Sequence, residues 1–77
     1  MPNVIVYSTD TCPFCKMAED FLSQNKIKFK HINVGSDQKG LAEMVAKSGQ
    51  TGVPVIDIGG KIIVGFNEPA IRAALKI

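Results

Sequence analysis

The chain has no tryptophan, one tyrosine, one histidine and two cysteines in 77 residues. Each shortage removes a class of function. With no Trp and few rings of any kind, there is no aromatic platform on which bases could stack. Basic residues outnumber acidic ones only 9 to 7, and Arg72 stands alone, so no Arg cluster accompanies them. The longest basic run, Lys26, Lys28 and Lys30, reads as the solvent side of a strand, where lysines also guard a sheet edge against pairing with another chain. No stretch approaches the roughly 20 apolar residues that span a bilayer. The first apolar run, Val4 to Tyr7, is too short for a signal-peptide core and has no basic leader. These absences lead to the expectation of a monomeric cytoplasmic protein with no nucleic-acid or membrane partner.

Metal ligands are scarce too. A zinc site normally takes four protein ligands, or three plus water. Cys12, Cys15 and His31 are the only cysteines and histidine here. The expectation is no metal. The competing binding-module reading is a homodimer sharing zinc or an iron-sulfur cluster through thiolates from two chains.

What is present is a sequence of short, clear elements. Length allows a single domain over residues 1–77. Val4 to Tyr7 is a β-branched run that predicts a buried strand. Phe14, Met17, Ala18, Phe21 and Leu22 fall on one helical face, with Pro13 in the first turn, Thr11 or Cys12 at the cap and Asn25 at the end. Ile27 to Val34 alternates at first, with Ile27, Phe29 and His31 on one side, and predicts a half-buried strand. Gly35 to Gly40 reads as a polar turn. A second helix follows through Leu41, Met44 and Val45, with Lys47 near its end and Gly49 as its stop. Val53 to Ile58 and Lys61 to Val64 read as strands joined by Gly59-Gly60, a strong hairpin signal. Asn67 caps a last helix that has Pro69 in its first turn and turns Ile71, Ala74 and Leu75 inward. The order is β-α-β-α-β-β-α, an α/β fold with a four-stranded mixed sheet and three helices.

The two cysteines flank the start of the first helix, where backbone N–H groups lack partners. A thiolate there is stabilised by the helix dipole. Cys12, ahead of the first turn, is expected to be the exposed nucleophile. Cys15, one turn in, is expected to be shielded and to resolve the mixed disulfide. Two intervening residues bring the sulfurs within disulfide reach, and this spacing beside a βαβ pattern points to dithiol–disulfide exchange. Lys16 reads as a solvated lysine that favours the thiolates by proximity, His31 as a strand residue near the sheet surface, and Tyr7 as packing beside the site. Phe14 is expected to be exposed and to press against a substrate backbone.

At "CPFC", Cys12 to Cys15, and again at "TGVP", Thr51 to Pro54, the chain resembles a glutaredoxin. The likeness extends over nearly its whole length, through the Gly59-Gly60 hairpin and the "GFNEP" segment, Gly65 to Pro69. The resemblance implies a thioredoxin-like fold with the first strand central and a cis peptide bond before Pro54. The Val53 backbone would then face Cys12, where an extended substrate could pair with it. The resemblance implies a disulfide oxidoreductase that uses Cys12 and Cys15, with Thr11, Pro13, Phe14, Thr51, Val53, Pro54, Gly65, Phe66 and Asn67 as substrate-binding residues. The implied partners are disulfide-containing proteins and glutathione, with electrons from glutathione or an NADPH-dependent reductase and no bound cofactor. Thr9 stands where glutathione-using members commonly carry Lys, and Glu68 is a single acid where they tend to carry a pair. The Gly-Phe pair at 65–66 is similar instead to small redoxins that supply electrons to ribonucleotide reductase and are recycled by thioredoxin reductase.

Overall fold

The computed structural model describes residues 3–77. The elements run β1 (Val4–Ser8), α1 (Pro13–Gln24), β2 (Lys30–Asn33), α2 (Gln38–Ser48), β3 (Val55–Ile58), β4 (Lys61–Val64) and α3 (Glu68–Leu75). The sheet order is β2-β1-β3-β4. β1 is parallel to β2 and antiparallel to β3, and β4 closes the hairpin with β3.

Strand alternation sorts the core into two layers. Val4 and Val6, with Ile56, Ile58 and Ile63, face α1 and α3 and pack on Ala18, Phe21, Leu22 and Ile71. Ile5, Tyr7, Val55 and Ile62 face α2 and pack on Met44 and Leu41. A sheet covered on both faces needs apolar residues on both sides of its central strands. All four residues of β3 are buried accordingly. β2 and β4 are the edges. Lys30 and His31 are exposed on one, Lys61 and Val64 on the other.

Helix α1 ends in a Schellman motif. Lys26 N–H donates to Ser23 O at 3.0 Å and Ile27 N–H to Leu22 O at 2.9 Å. Lys26 takes the left-handed conformation, φ 58°, at the position glycine usually fills. Ile27 and Leu22 then share one core cluster, the apolar contact this motif favours. The hairpin turn holds Gly59 and Gly60 at φ 59° and 97°, as a two-residue loop of this hand requires.

Several boundaries differ from the pattern read in the sequence. β2 begins at Lys30, not Ile27, because residues 27–29 lead out of the Schellman turn with Ile27 and Phe29 packed on the core, and the ladder starts only where Lys30 pairs with Ile5. His31 pairs with Val6 and so keeps the α1 face it was expected to share with Ile27 and Phe29, though it is exposed there at the sheet edge. β3 begins at Val55, because Pro54 has no N–H to give the ladder and the first pair is Tyr7 with Val55. Gly40 lies inside α2, which Asp37 caps by accepting the Gly40 N–H at 3.0 Å. Met17 is exposed, since Cys15, Ala18 and Leu22 centre the apolar stripe of α1 one residue away from it. Gly65 takes φ 81° where the chain leaves β4 for α3.

Candidate active site

β1 ends at Ser8, and the loop from Thr9 to Cys12 feeds directly into α1. Cys12 is the N-cap, with its sulfur in the place usually taken by a Ser or Asp oxygen. It accepts a hydrogen bond from Cys15 N–H at 3.2 Å. Pro13 fills the first turn, where a missing donor costs nothing. Cys12 is partly exposed and Cys15 is 1% exposed, and both are free thiols. Burial, reinforced by the hydrogen bond and charge of Cys12, pushes the Cys15 thiol up to about 12. Glu19, one turn further along α1, opposes the Cys15 thiolate as well, while the Thr9 backbone favours it. The two sulfurs therefore sit in unequal surroundings: one is open at a helix end, the other is shielded beneath it.

The opposite wall is the turn before β3. The Val53–Pro54 peptide bond is cis. Val53 O lies 3.9 Å from Cys12 Sγ, which donates to it. Gly65 N–H donates to Pro54 O at 2.7 Å and so ties the end of β4 to this turn. Thr51 is exposed on the same loop, which Gln50 braces through the N–H and C=O of Gly52. Phe14, between the two cysteines, is 60% exposed.

Thr11, Pro13 and Cys12 border a shallow depression of about 500 Å³ that Thr9, Lys16, Glu19 and His31 also line. His31 Nε2 lies 3.6 Å from Glu19 Oε2 across α1 and β2. The histidine thus stands nearer the thiols than its place in the sequence implied. Cys15 and Glu19 share a face through their four-residue spacing, which is visible in the sequence. Nothing in the sequence pairs Glu19 with His31.

One expectation is met and one changes. Phe66 packs against the core, with its ring edge-on to Phe21 at 6.0 Å. Asn67 Oδ1 caps α3 as expected, accepting from Ala70 N–H at 3.2 Å. Tyr7 belongs to the α2 side of the sheet, where its hydroxyl meets Lys47 Nζ at 2.7 Å, and not to the cysteine side. Among the described residues, no three His, Cys, Asp or Glu side chains gather as a metal-ligand set. None of the helices there is long and apolar enough to cross a membrane.

The same layout recurs in known proteins. The glutaredoxin family model matches residues 4–63. An uncharacterized glutaredoxin-like 8.6 kDa protein from the rubredoxin operon of Clostridium pasteurianum is 50% identical over 71 residues, covering 92% of this chain and 95% of that one. Glutaredoxin 3 of Escherichia coli is 34% identical over 68 residues, covering 88% of this chain and 82% of its own length. The crystal structure of an Archaeoglobus fulgidus glutaredoxin superimposes with a TM-score of 0.89 at 28% identity, over all of this chain and 89% of that one. A Cys-X-X-Cys pair at a helix start, a cis-proline turn facing it and this sheet order, together with matches over most of the chain, have one common explanation: the protein belongs to the glutaredoxin family, thiol-disulfide oxidoreductases of thioredoxin-like fold.

Proposed function

We propose that the protein reduces protein disulfides or glutathione mixed disulfides, with Cys12 as nucleophile and Cys15 as resolving thiol. The observation that carries this reading is the asymmetry of the pair: Cys12 is open and receives an N–H from the helix start, whereas Cys15 is buried and holds its proton. The Cys12 thiolate attacks one sulfur of the substrate disulfide. A Cys12–substrate bond forms, and the other sulfur leaves as a thiolate that takes up a proton. Cys15 loses its proton and attacks Cys12 Sγ, which releases the second substrate thiol. The substrate has gained two electrons and two protons, and the protein holds a Cys12–Cys15 disulfide. Two glutathione molecules, or a reductase drawing on NADPH, return it to the dithiol.

In this reading an extended substrate lies along the Val53–Pro54 turn, pairs with the Val53 backbone and rests against Phe14. Thr11, Pro13, Thr51 and Gly65 complete the rim. Phe66 and Asn67 act indirectly, by holding the start of α3. A second reading is favoured by Thr9, which puts no cation beside Cys12 where glutathione-using relatives commonly carry lysine. In that reading the protein supplies electrons to ribonucleotide reductase and is recycled by thioredoxin reductase.

The oxidised protein is supplied with NADPH and either glutathione plus its reductase or thioredoxin reductase alone. The faster route identifies the reductant pool. Cys12→Ser is expected to abolish exchange, and Cys15→Ser to accumulate mixed disulfides with protein substrates. A Cys15→Ser protein that turns over protein disulfides at the parent rate, with no trapped species, overturns the assigned roles.

A further inference from the structure

Ser8 is 1% exposed, and its hydroxyl has no hydrogen-bond partner among the described residues. A buried hydroxyl without a partner carries a desolvation cost that folding does not recover, so its presence calls for a physical reason. Its location supplies one. Val4 and Val6 point to the α1 side of the sheet and Tyr7 to the α2 side, so the alternation directs Ser8 to the α1 side. Ser8 is the last residue of β1, and the Thr9 backbone next to it already contacts the Cys15 thiol. Ser8 and Cys15 are thus both buried on the α1 side of the sheet, and the residue after Ser8 is the one whose backbone meets the sulfur.

We propose that the Ser8 hydroxyl is the reserved hydrogen-bond donor for the Cys15 thiolate, idle in the resting dithiol and engaged during the resolving step. The proposal rests on the resolving role given to Cys15 above. The groups acting on this sulfur are few. On its own helix Glu19 opposes ionisation, and His31 of β2 faces that carboxylate. Cys12 opposes ionisation until its sulfur is bonded to substrate. The Thr9 backbone favours it, but burial is the larger influence. A neutral O–H donor assists the anion without placing a second charge in the apolar layer. No atom of Ser8 is transferred. Cys15 Sγ forms its bond to Cys12 Sγ, the Cys12–substrate bond breaks, the leaving thiolate ends protonated, and Ser8 keeps its own proton.

The test uses two readouts. In a Cys12→Ser background the remaining thiol is Cys15, and its titration is followed by ultraviolet thiolate absorbance. Adding Ser8→Ala is expected to raise its midpoint by about one pH unit, the scale of a hydrogen bond to a charged group. In the dithiol protein, an aromatic disulfide reporter releases one coloured thiolate on attack by Cys12 and a second on attack by Cys15. Ser8→Ala is expected to leave the first release unchanged and slow the second about threefold, because half of the lost ionisation is regained as nucleophilicity. Ser8→Thr, which keeps the hydroxyl, is expected to restore the second rate to within about twofold. The urea midpoint of Ser8→Ala is expected to stay equal or rise, since no resting bond is lost. An unchanged second release, or equal slowing in Ser8→Ala and Ser8→Thr, overturns the assignment to Ser8. A first release that survives Cys12→Ser instead overturns the roles of the cysteines themselves.

Discussion

Lys47→Met tests whether the polar network on the α2 side holds that helix to the sheet. Lys47 Nζ lies 2.7 Å from Asp57 Oδ2 and 2.7 Å from Tyr7 OH, and its charge sits 5.2 Å from the Tyr7 ring centroid. Asp57 is 8% exposed, and its other oxygen already accepts the Gly60 N–H at 2.8 Å. Methionine keeps the apolar stem and removes the charge, which leaves a buried carboxylate without its cation. At an effective dielectric of about 20, unit charges at this separation attract by roughly 6 kcal/mol. Desolvation and lost rotamers offset much of that, and the Lys47 side chain is 33% exposed, so solvent screens it further. A net loss of about 2 kcal/mol remains. With a urea dependence near 1 kcal/mol per molar for a chain this small, the unfolding midpoint falls by about 2 M. The measurement is urea unfolding of the reduced protein at neutral pH, repeated for Asp57→Asn and for the double variant. The pair should couple, so the double variant loses less than the sum of the singles. The alkylation rate of Cys12 should not change, because the network lies on the other face of the sheet. A midpoint shift below about 0.5 M, or strict additivity, refutes the reasoning.

Two further outcomes follow from the geometry. Cys15 holds its proton up to about 12 in the folded chain against 9.0 when unperturbed, so the unfolded chain ionises first. Stability is complete below pH 9 and falls as pH rises toward 12. Melting temperature measured from pH 8 upward should decline less steeply in Cys15→Ala, and equal slopes would show that this thiol does not set the decline. Gly65→Ala forces a side chain onto φ 81° and disturbs the bond to Pro54 O, at a cost of about 1–2 kcal/mol. Its urea midpoint and its exchange rate with a protein disulfide should both fall, and a variant matching the parent in both would remove Gly65 from the site's architecture.

Much of this molecule is legible in its residue pattern because local rules and global packing agree. Pro13 and Cys12 mark the start of α1, Asn67 marks the start of α3, and Gly59-Gly60 marks the hairpin. The cis bond before Pro54 came from the family resemblance, since a plain proline at a strand start reads the same way. What the pattern conceals is set by partners distant in the chain. Lys47 reads as an ordinary cation at a helix end, yet it bonds residues 40 and 10 positions away. The alternation from Ile27 suggests a strand, but strand pairing depends on β1, whose Ile5 meets Lys30. Lys26 hides a left-handed turn that glycine would have advertised. Ser8 falls just past the predicted strand Val4 to Tyr7, and only its burial without a partner reveals it as exceptional.

The placement of β1 between β2 and β3 also bears on how the chain matures. As the polypeptide emerges during synthesis, β1 can find β2 early, since only α1 separates them. Its other neighbour lies about fifty residues downstream, and such distant pairing forms slowly. Until that pairing occurs, the nascent chain carries both thiols without the proline turn that walls them in. Oxidants met during translation therefore encounter a pair of sulfurs whose selectivity has yet to be built.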